Sequence, residues 1–588
     1  MAPGLAKKAL LLGLATAVAA SLQGRQAPES PDYVIVGGGP AGFVVAEYLT
    51  RDSSVHVLLL EAGPDATTNF TETTPAMFQQ TRAWMWPYSS APEPSLDGRA
   101  PDLVQGRALG GGTAVNGMAY CRGAASVFDE WARISGNDGL AWGSMMQAFQ
   151  ATSHWTDYPN LTYTAEVNQT SFGNGPLEVT SPRELLPIDQ PFHDSAASLL
   201  NLTDIDFVSG GGIGISLGMQ TIRSSNRTRD FAPNTFGYIA NGRANYHVLP
   251  NAWVSQIGFT GMQADKVMFQ DGNTGENITV SAKEIIVAAG AINTPQLLKL
   301  SGVGPADELN GLDILVVMDS RQVGQNLVNH HYAVAQYEAR PTTETLWQLL
   351  DNSTRREIEL SRYRDDGDGM FGTIYGSTLA EFRLPDSVFE GTGSDFFQSL
   401  PADRPHVALF ATSSPFLSDS PNTSIFAGFA AIVQPESSGN VTLASSNYQD
   451  SPIINSNYWG TASEVAAVKH AYSRLLEVFH SEGLQPYYTR EQYPGRNITG
   501  DADLWAAIQG ASHDWHHPVG TAALGTVLDM NWRVKGLSGL RVIGSAAMPT
   551  ITTCPIQAAV YAMAYRSAID IAEADNLMSG CSGNSGSM

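Results

Sequence analysis

Short apolar runs punctuated by glycine set the pattern of the early chain. Tyr33–Val36 is uninterrupted and apolar, Ala41–Leu49 carries helical spacing, and Val55–Leu60 is a second apolar run. Runs of this length predict strands covered on both faces. Strand, turn, helix and strand in that order predict a doubly wound unit. Further on, Glu284–Ala288 reads as a strand ending at Gly290, with a helix beginning near Thr294–Pro295. The glycine-rich run Gly106–Gly123 interrupts regular structure and leads into a helical stretch at Ser126–Ile134. Ile453–Asn455 reads as a strand, Val468–Phe479 as a long helix, and Ile556–Ala574 as a C-terminal helix after a proline-marked turn. Phe70–Ala100, rich in Thr, Pro and Trp, is expected to run over the surface, and 341–404 lacks clear strand alternation. No internal repeat is visible.

The N-terminus departs from this pattern. Lys7 and Lys8 precede an apolar run, Ala9–Ala20, that ends in small residues. This is the order of a secretory signal peptide, with cleavage expected near Ala20–Ser21, and it predicts a secreted protein. The run is too short to span a bilayer comfortably. Secretion gives weight to the Asn-X-Ser/Thr sequons at Asn69, Asn160, Asn168, Asn201, Asn226, Asn277, Asn352, Asn422, Asn440 and Asn497. The tail 577–588, rich in Ser and Gly, is expected to be flexible.

Composition adds bounds. With 588 residues, 43% of them apolar and 15% charged, the chain can bury a large core in more than one lobe. Lys and Arg number 33 against 57 Asp and Glu, a net charge of −24. That excess disfavours nucleic acid and anionic membrane as partners and leaves a small-molecule substrate as the expectation. Cys121, Cys554 and Cys581 allow one bridge at most, with a spare thiol, and offer no metal-ligand spacing.

Gly37, Gly39 and Gly42 lie between the first strand and its helix in "DYVIVGGGPAG". The first permits a tight turn, the second lets backbone approach a pyrophosphate, and the third lets the helix pack closely. The helix start at Pro40 and Ala41 offers free amides and a positive dipole end to phosphate. Glu61, followed by Ala62, ends the second strand roughly twenty residues on, where an acid accepts ribose hydroxyls and disfavours a 2′-phosphate. A dinucleotide site is predicted.

Two longer stretches, "GRALGGGTAVNGMAYCRG" from Gly106 and "VAAGAINTPQLLKLSGVGP" from Val287, resemble the two signatures of the glucose–methanol–choline (GMC) oxidoreductases. "VGQNLVNH" (Val323–His330) and "HPVGTAAL" (His517–Leu524) fall where that family carries similar segments, and the likeness runs in order from Asp32 to Ala574. The resemblance, to the fungal secreted type, implies FAD. It also implies an α/β fold, α+β overall, in which a doubly wound FAD-binding Rossmann-like domain is joined to a discontinuous antiparallel-sheet substrate domain. The FAD-binding domain would take 28–159, 221–336 and 515–576, and the substrate-binding domain 160–220 and 337–514. Asn116, Gly117, Met118, Ala119, Gly544, Ser545, Ile556 and Gln557 are carried over as flavin contacts, and Val254 as the backbone contact of the adenine. Covalently flavinylated members have histidine where this chain has Val115, so the FAD is expected to be non-covalent.

His517 matches the family's catalytic histidine, a suitable base because imidazole titrates near neutrality. His516 and His513 are close in sequence; His516 is expected to face the opposite way in an extended segment and is read as structural, as are His330 and His331. Gly544 stands where the family usually has Asp, and Pro555 where a second catalytic His or Asn sits. Proline has no side-chain donor or acceptor. The leading expectation is oxidation of an alcohol, with oxygen or a quinone-like compound as electron acceptor. Pro555 keeps a second reading open, a non-redox cyclase or dehydratase of polyketide metabolism on the same fold, of the versicolorin B synthase kind. Trp347, Phe371, Phe396, Phe397, Phe410 and Phe416 are candidates for an apolar aromatic pocket, or for ordinary core.

Overall fold

The apolar runs at Tyr33–Val36, Val57–Leu60 and Glu284–Val287 pair side by side in a five-stranded parallel sheet. Its order is Tyr246–Leu249, Val57–Leu60, Tyr33–Val36, Glu284–Val287, Leu540–Val542. Tyr33–Val36 and Val57–Leu60 are buried along their whole length because helices cover the sheet. Pro40–Leu49 and the long C-terminal helix Gln557–Ala574 pack against each other there. In this computed structural model the described residues are 30–577, apart from 159–160, 162, 164–165, 347–348, 350–351, 375, 377, 418–423, 496–497 and 499. The expected signal peptide, all but the first residue of the expected tail, Trp347, Cys581 and the sequons at Asn160, Asn422 and Asn497 lie outside them.

A second, mainly antiparallel sheet stands beside the first. Its order is Tyr488–Tyr493, His331–Ala339, Ile425–Ile432, Val407–Thr412, Leu379–Phe382, Gly214–Ser216, and Ser512–Asp514 also pairs with His331–Ala339. One face packs on the helix Ala462–Phe479 in a core of its own. The other face carries Tyr332, Phe410 and Phe429 towards the flank of the parallel sheet. The two sheets are the α/β fold with a sheet-built second lobe that the family resemblance implies.

Several boundaries differ from the sequence reading. The helix expected near Thr294–Pro295 starts at Gly290, and Pro295 lies inside it, past the first turn, where it removes one hydrogen bond of the helix. The region 341–404 does contain a strand, Leu379–Phe382, four residues being too few to show alternation. Phe70–Ala100 is no plain surface excursion, since Trp86, Tyr88 and Leu96 are buried and Phe78, Met85 and Trp86 line the central cavity. Cys121 and Cys554, 433 residues apart, form a buried disulfide. Of the described sequons, Asn69, Asn168, Asn201, Asn277 and Asn352 are exposed, and Asn226 and Asn440 partly so.

Candidate active site

One cavity of about 1370 Å³ runs from the C-terminal ends of the parallel strands to the aromatic face of the second sheet. That exceeds the roughly 300–1,000 Å³ of a single small-molecule pocket, so it has room for a cofactor and a substrate together. Gly37, Gly39, Pro40, Ala41, Glu61, Ala62, Asn116, Gly117, Met118, Ala119, Val254, Gly544, Ser545, Ile556, Gln557 and His517 all line it. Gly42 does not. A Cβ there would stand 2.1 Å from the Gly37 carbonyl oxygen, so this glycine lets the helix sit down on the turn.

The dinucleotide end is a surface of bare backbone. Gly37 has φ 113°, and a Cβ on it would collide with the Ala288 carbonyl. Gly111, at φ 51°, lies so close to Gly39 that a Cβ would reach its Cα at 2.8 Å. Gly112 and Gly290 border the cavity with nothing within 4 Å of a Cβ position. The helix opens with Gly39 as N-cap and proline in its first turn, and no side chain caps it. Its first amides are therefore left for a ligand. Glu61 accepts hydrogen bonds from the amides of Gly38 and Gly63, both at 2.8 Å. Burial pushes its carboxyl up to about 7. These features fit the ADP part of FAD. Asn116 donates to Gln557 Oε1 at 3.0 Å and Gln557 to the Ala119 carbonyl, which ties the glycine-rich loop to the C-terminal helix. Arg229, buried, donates to both the carbonyl and the side-chain oxygen of Asn116 at 2.7 Å, a support that no motif in the chain announces.

His517 stands at the other end, on the segment that follows the strand Ser512–Asp514. Its Nδ1 is 3.0 Å from Nδ1 of His330. His330 Nε2 faces two backbone carbonyls, Val433 at 3.1 Å and Thr552 at 3.0 Å. Carbonyl oxygens only accept, so His330 Nε2 carries a proton. Burial lowers the His330 pKa to about 4, so its ring is neutral near neutral pH and its Nδ1 is an acceptor. His517 Nδ1 must then be the donor, which leaves Nε2 of His517 with its lone pair. Burial, with the rings of His330 and His516 adding to it, holds the His517 pKa well below the ordinary value. His330, read from sequence as structural, thus sets the tautomer of His517.

The turn that presents His517 has its own clamp. Asn329 Oδ1 accepts from the amides of His330 and His517, both at 2.9 Å, and its Nδ2 donates to Asp514 at 2.7 Å. Asp514 also accepts from the His516 amide. His516 has φ 63°, which breaks the extended alternation, so both His516 and His517 line the cavity and the expectation that His516 faces away is corrected. His513 lines it as well. Trp515 stacks on Phe410 (centroids 4.5 Å, planes 11° apart) and lies 5.2 Å from the His517 ring. Phe410 stacks in turn on Phe429 at 4.3 Å. Of the candidate pocket aromatics, Phe410 and Phe416 line the cavity, whereas Phe371, Phe396 and Phe397 belong to separate cores. Tyr332 lines the cavity too. Pro555 also lines it and offers no polar atom from its side chain.

Comparison with known proteins agrees with this geometry. GMC oxidoreductase family models match residues 31–332 and 435–564. Patulin synthase of Aspergillus clavatus is 28% identical over 92% of each chain, and oxygen-dependent choline dehydrogenase of Paraburkholderia phymatum 32% identical over 89% of each. An FAD-dependent oxidoreductase structure from Chaetomium thermophilum superposes with a TM-score of 0.83 at 25% identity, over 93% of this chain and 100% of that one. Relatives of this similarity occur in fungi and bacteria alike. The chain belongs to the GMC oxidoreductase family, whose members are FAD-dependent oxidases and dehydrogenases of CH–OH donors.

Proposed function

We propose that this protein oxidises an apolar, aromatic alcohol, with Nε2 of His517 taking the hydroxyl proton. Bound FAD supplies the hydride acceptor at its N5, and the carbinol carbon leaves as an aldehyde or ketone. The observation that carries the reading is the relay from the Val433 and Thr552 carbonyls through His330 to His517, which frees one nitrogen as a base on the cavity wall. The aromatic character of the substrate is supported by the Phe429–Phe410–Trp515 stack beside that nitrogen. Gly37–Ala41 would hold the pyrophosphate, Glu61 the ribose and Val254 the adenine. Asn116–Ala119, Gly544, Ser545, Ile556 and Gln557 would hold the ring system, without a covalent bond. Oxygen or a quinone-like compound would reoxidise the flavin. The N-terminal segment and the exposed sequons support a secreted glycoprotein, and the likeness to patulin synthase of Aspergillus clavatus supports a fungal type with a role in secondary metabolism.

Pro555 favours a second reading, cyclisation or dehydration of a polyketide with His517 moving protons only. Anaerobic mixing of the yellow protein with aryl and polyketide alcohols separates the two. Bleaching of the flavin supports oxidation, whereas product formed over an oxidised flavin supports the proton-transfer reaction.

A further inference from the structure

Two arginines line the cavity among the described residues, Arg82 and Arg99, and they differ in one respect. Arg82 pairs with Asp102 at 3.4 Å, and both side chains are largely exposed, 74% and 60%, which marks the mouth. Arg99 is only partly exposed and has no carboxylate within ion-pair distance among the described residues, in a chain with 24 more acids than bases. Its Nη2 donates to the backbone carbonyls of Gln509 (2.7 Å) and Ser512 (2.5 Å), which fixes the guanidinium against the wall. Its Nε is buried without a hydrogen-bond partner. The neighbouring wall is formed by Tyr493, Gly510 and His513. A rigid guanidinium with no counter-ion matches a planar anion: the buried Nε is closed to a ligand, but Nη1, which is not buried and makes no hydrogen bond among the described residues, can donate to a carboxylate oxygen.

We propose that Arg99 anchors a carboxylate of the substrate, so that the alcohol oxidised is an aryl alcohol carrying an acid group at its far end. This rests on the reading of His517 as the base. The spacing permits it. Arg99 is held on Ser512, and the backbone from Ser512 to His517 spans at most about 17 Å at roughly 3.3 Å per residue. The left-handed turn at His516 shortens that path, so one elongated molecule reaches both groups. The aromatic stack, whose Trp515 lies 5.2 Å from the His517 ring, suits the molecule's apolar part.

The test uses the flavin-loaded protein and two matched probes, a biphenyl methanol bearing a distal carboxylate and the same alcohol without it. The acid-bearing alcohol is expected to have the higher kcat/KM by at least about tenfold, and Arg99→Gln to remove most of that preference while Arg99→Lys keeps part of it. Binding of biphenyl carboxylate, which has no alcohol to oxidise, is followed separately through its effect on flavin absorbance and is expected to weaken in Arg99→Gln. Equal kcat/KM for the two alcohols, or undiminished carboxylate binding by Arg99→Gln, overturns the anion site. Arg99-dependent binding with neither alcohol oxidised keeps the anion site and removes the alcohol-oxidation reading instead. If Arg99→Gln loses its flavin, the wild-type preference and its decline with added salt decide, and absence of both overturns the proposal.

Discussion

His517→Ala removes the proposed base and leaves the glycine-built channel untouched. The expected result is a fall in kcat of about 10²–10⁴-fold with the protein still yellow, read by stopped-flow flavin reduction and the visible spectrum. His330 is tested by its tautomer role. Leucine there leaves Nδ1–H of His517 without an acceptor, and kcat is expected to fall by about 10²-fold. Glutamine can accept from His517 and donate to the Val433 and Thr552 carbonyls, so His330→Gln should recover much of the loss, which a merely structural role would not foretell. The pH profile follows from sign. A histidine with a depressed pKa stays unprotonated, and competent as a base, as pH falls past its ordinary value of about 6.5. The acid limb of kcat/KM is therefore expected below pH 6.5, and a limb at or above that value contradicts the assignment. His517 was legible from its place before Pro518-Val519-Gly520-Thr521. Its partner was not, because His330 lies 187 residues away and only strand pairing brings them together.

At the scale of elements, the strand–turn–helix–strand unit was readable because buried parallel strands are continuous apolar runs and the glycines that border them cannot be replaced. The second sheet was less so. Strands such as Ile425–Ile432 are buried along their length between a helix and the cavity, so they show no alternation to separate strand from buried helix. The turn at His516 was misread for a different reason: its left-handed backbone is held by Asp514, two residues before it, which Asn329 from the segment ahead of His331–Ala339 clamps in turn, and no glycine marks it. The glycine-rich loop makes its own prediction. Gly111→Ala places a methyl 2.8 Å from Gly39 Cα at a positive φ, and the two backbones must part. Purified Gly111→Ala protein is expected to hold far less flavin than wild type, measured as the ratio of visible to ultraviolet absorbance.

At the scale of the whole molecule, both lobes contribute to one cavity, and the Cys121–Cys554 bridge joins the glycine-rich loop region to the segment just before Pro555. Composition spoke to size, charge and the chance of a single bridge, and the order of motifs spoke to the family. Neither spoke to the shape of the cavity, which is made by packing one sheet's aromatic face against the ends of another. A cross-link closing so long a loop restricts the unfolded chain, so replacing both cysteines by serine is expected to cost about 2–4 kcal/mol, read as a lower unfolding midpoint in denaturant. The most direct measurement of the account is anaerobic titration of wild-type and His517→Ala protein with an aryl alcohol, watched at the flavin absorbance. The account predicts rapid bleaching of the first and little of the second, with both equally yellow at the start. Equal bleaching of the two would contradict it.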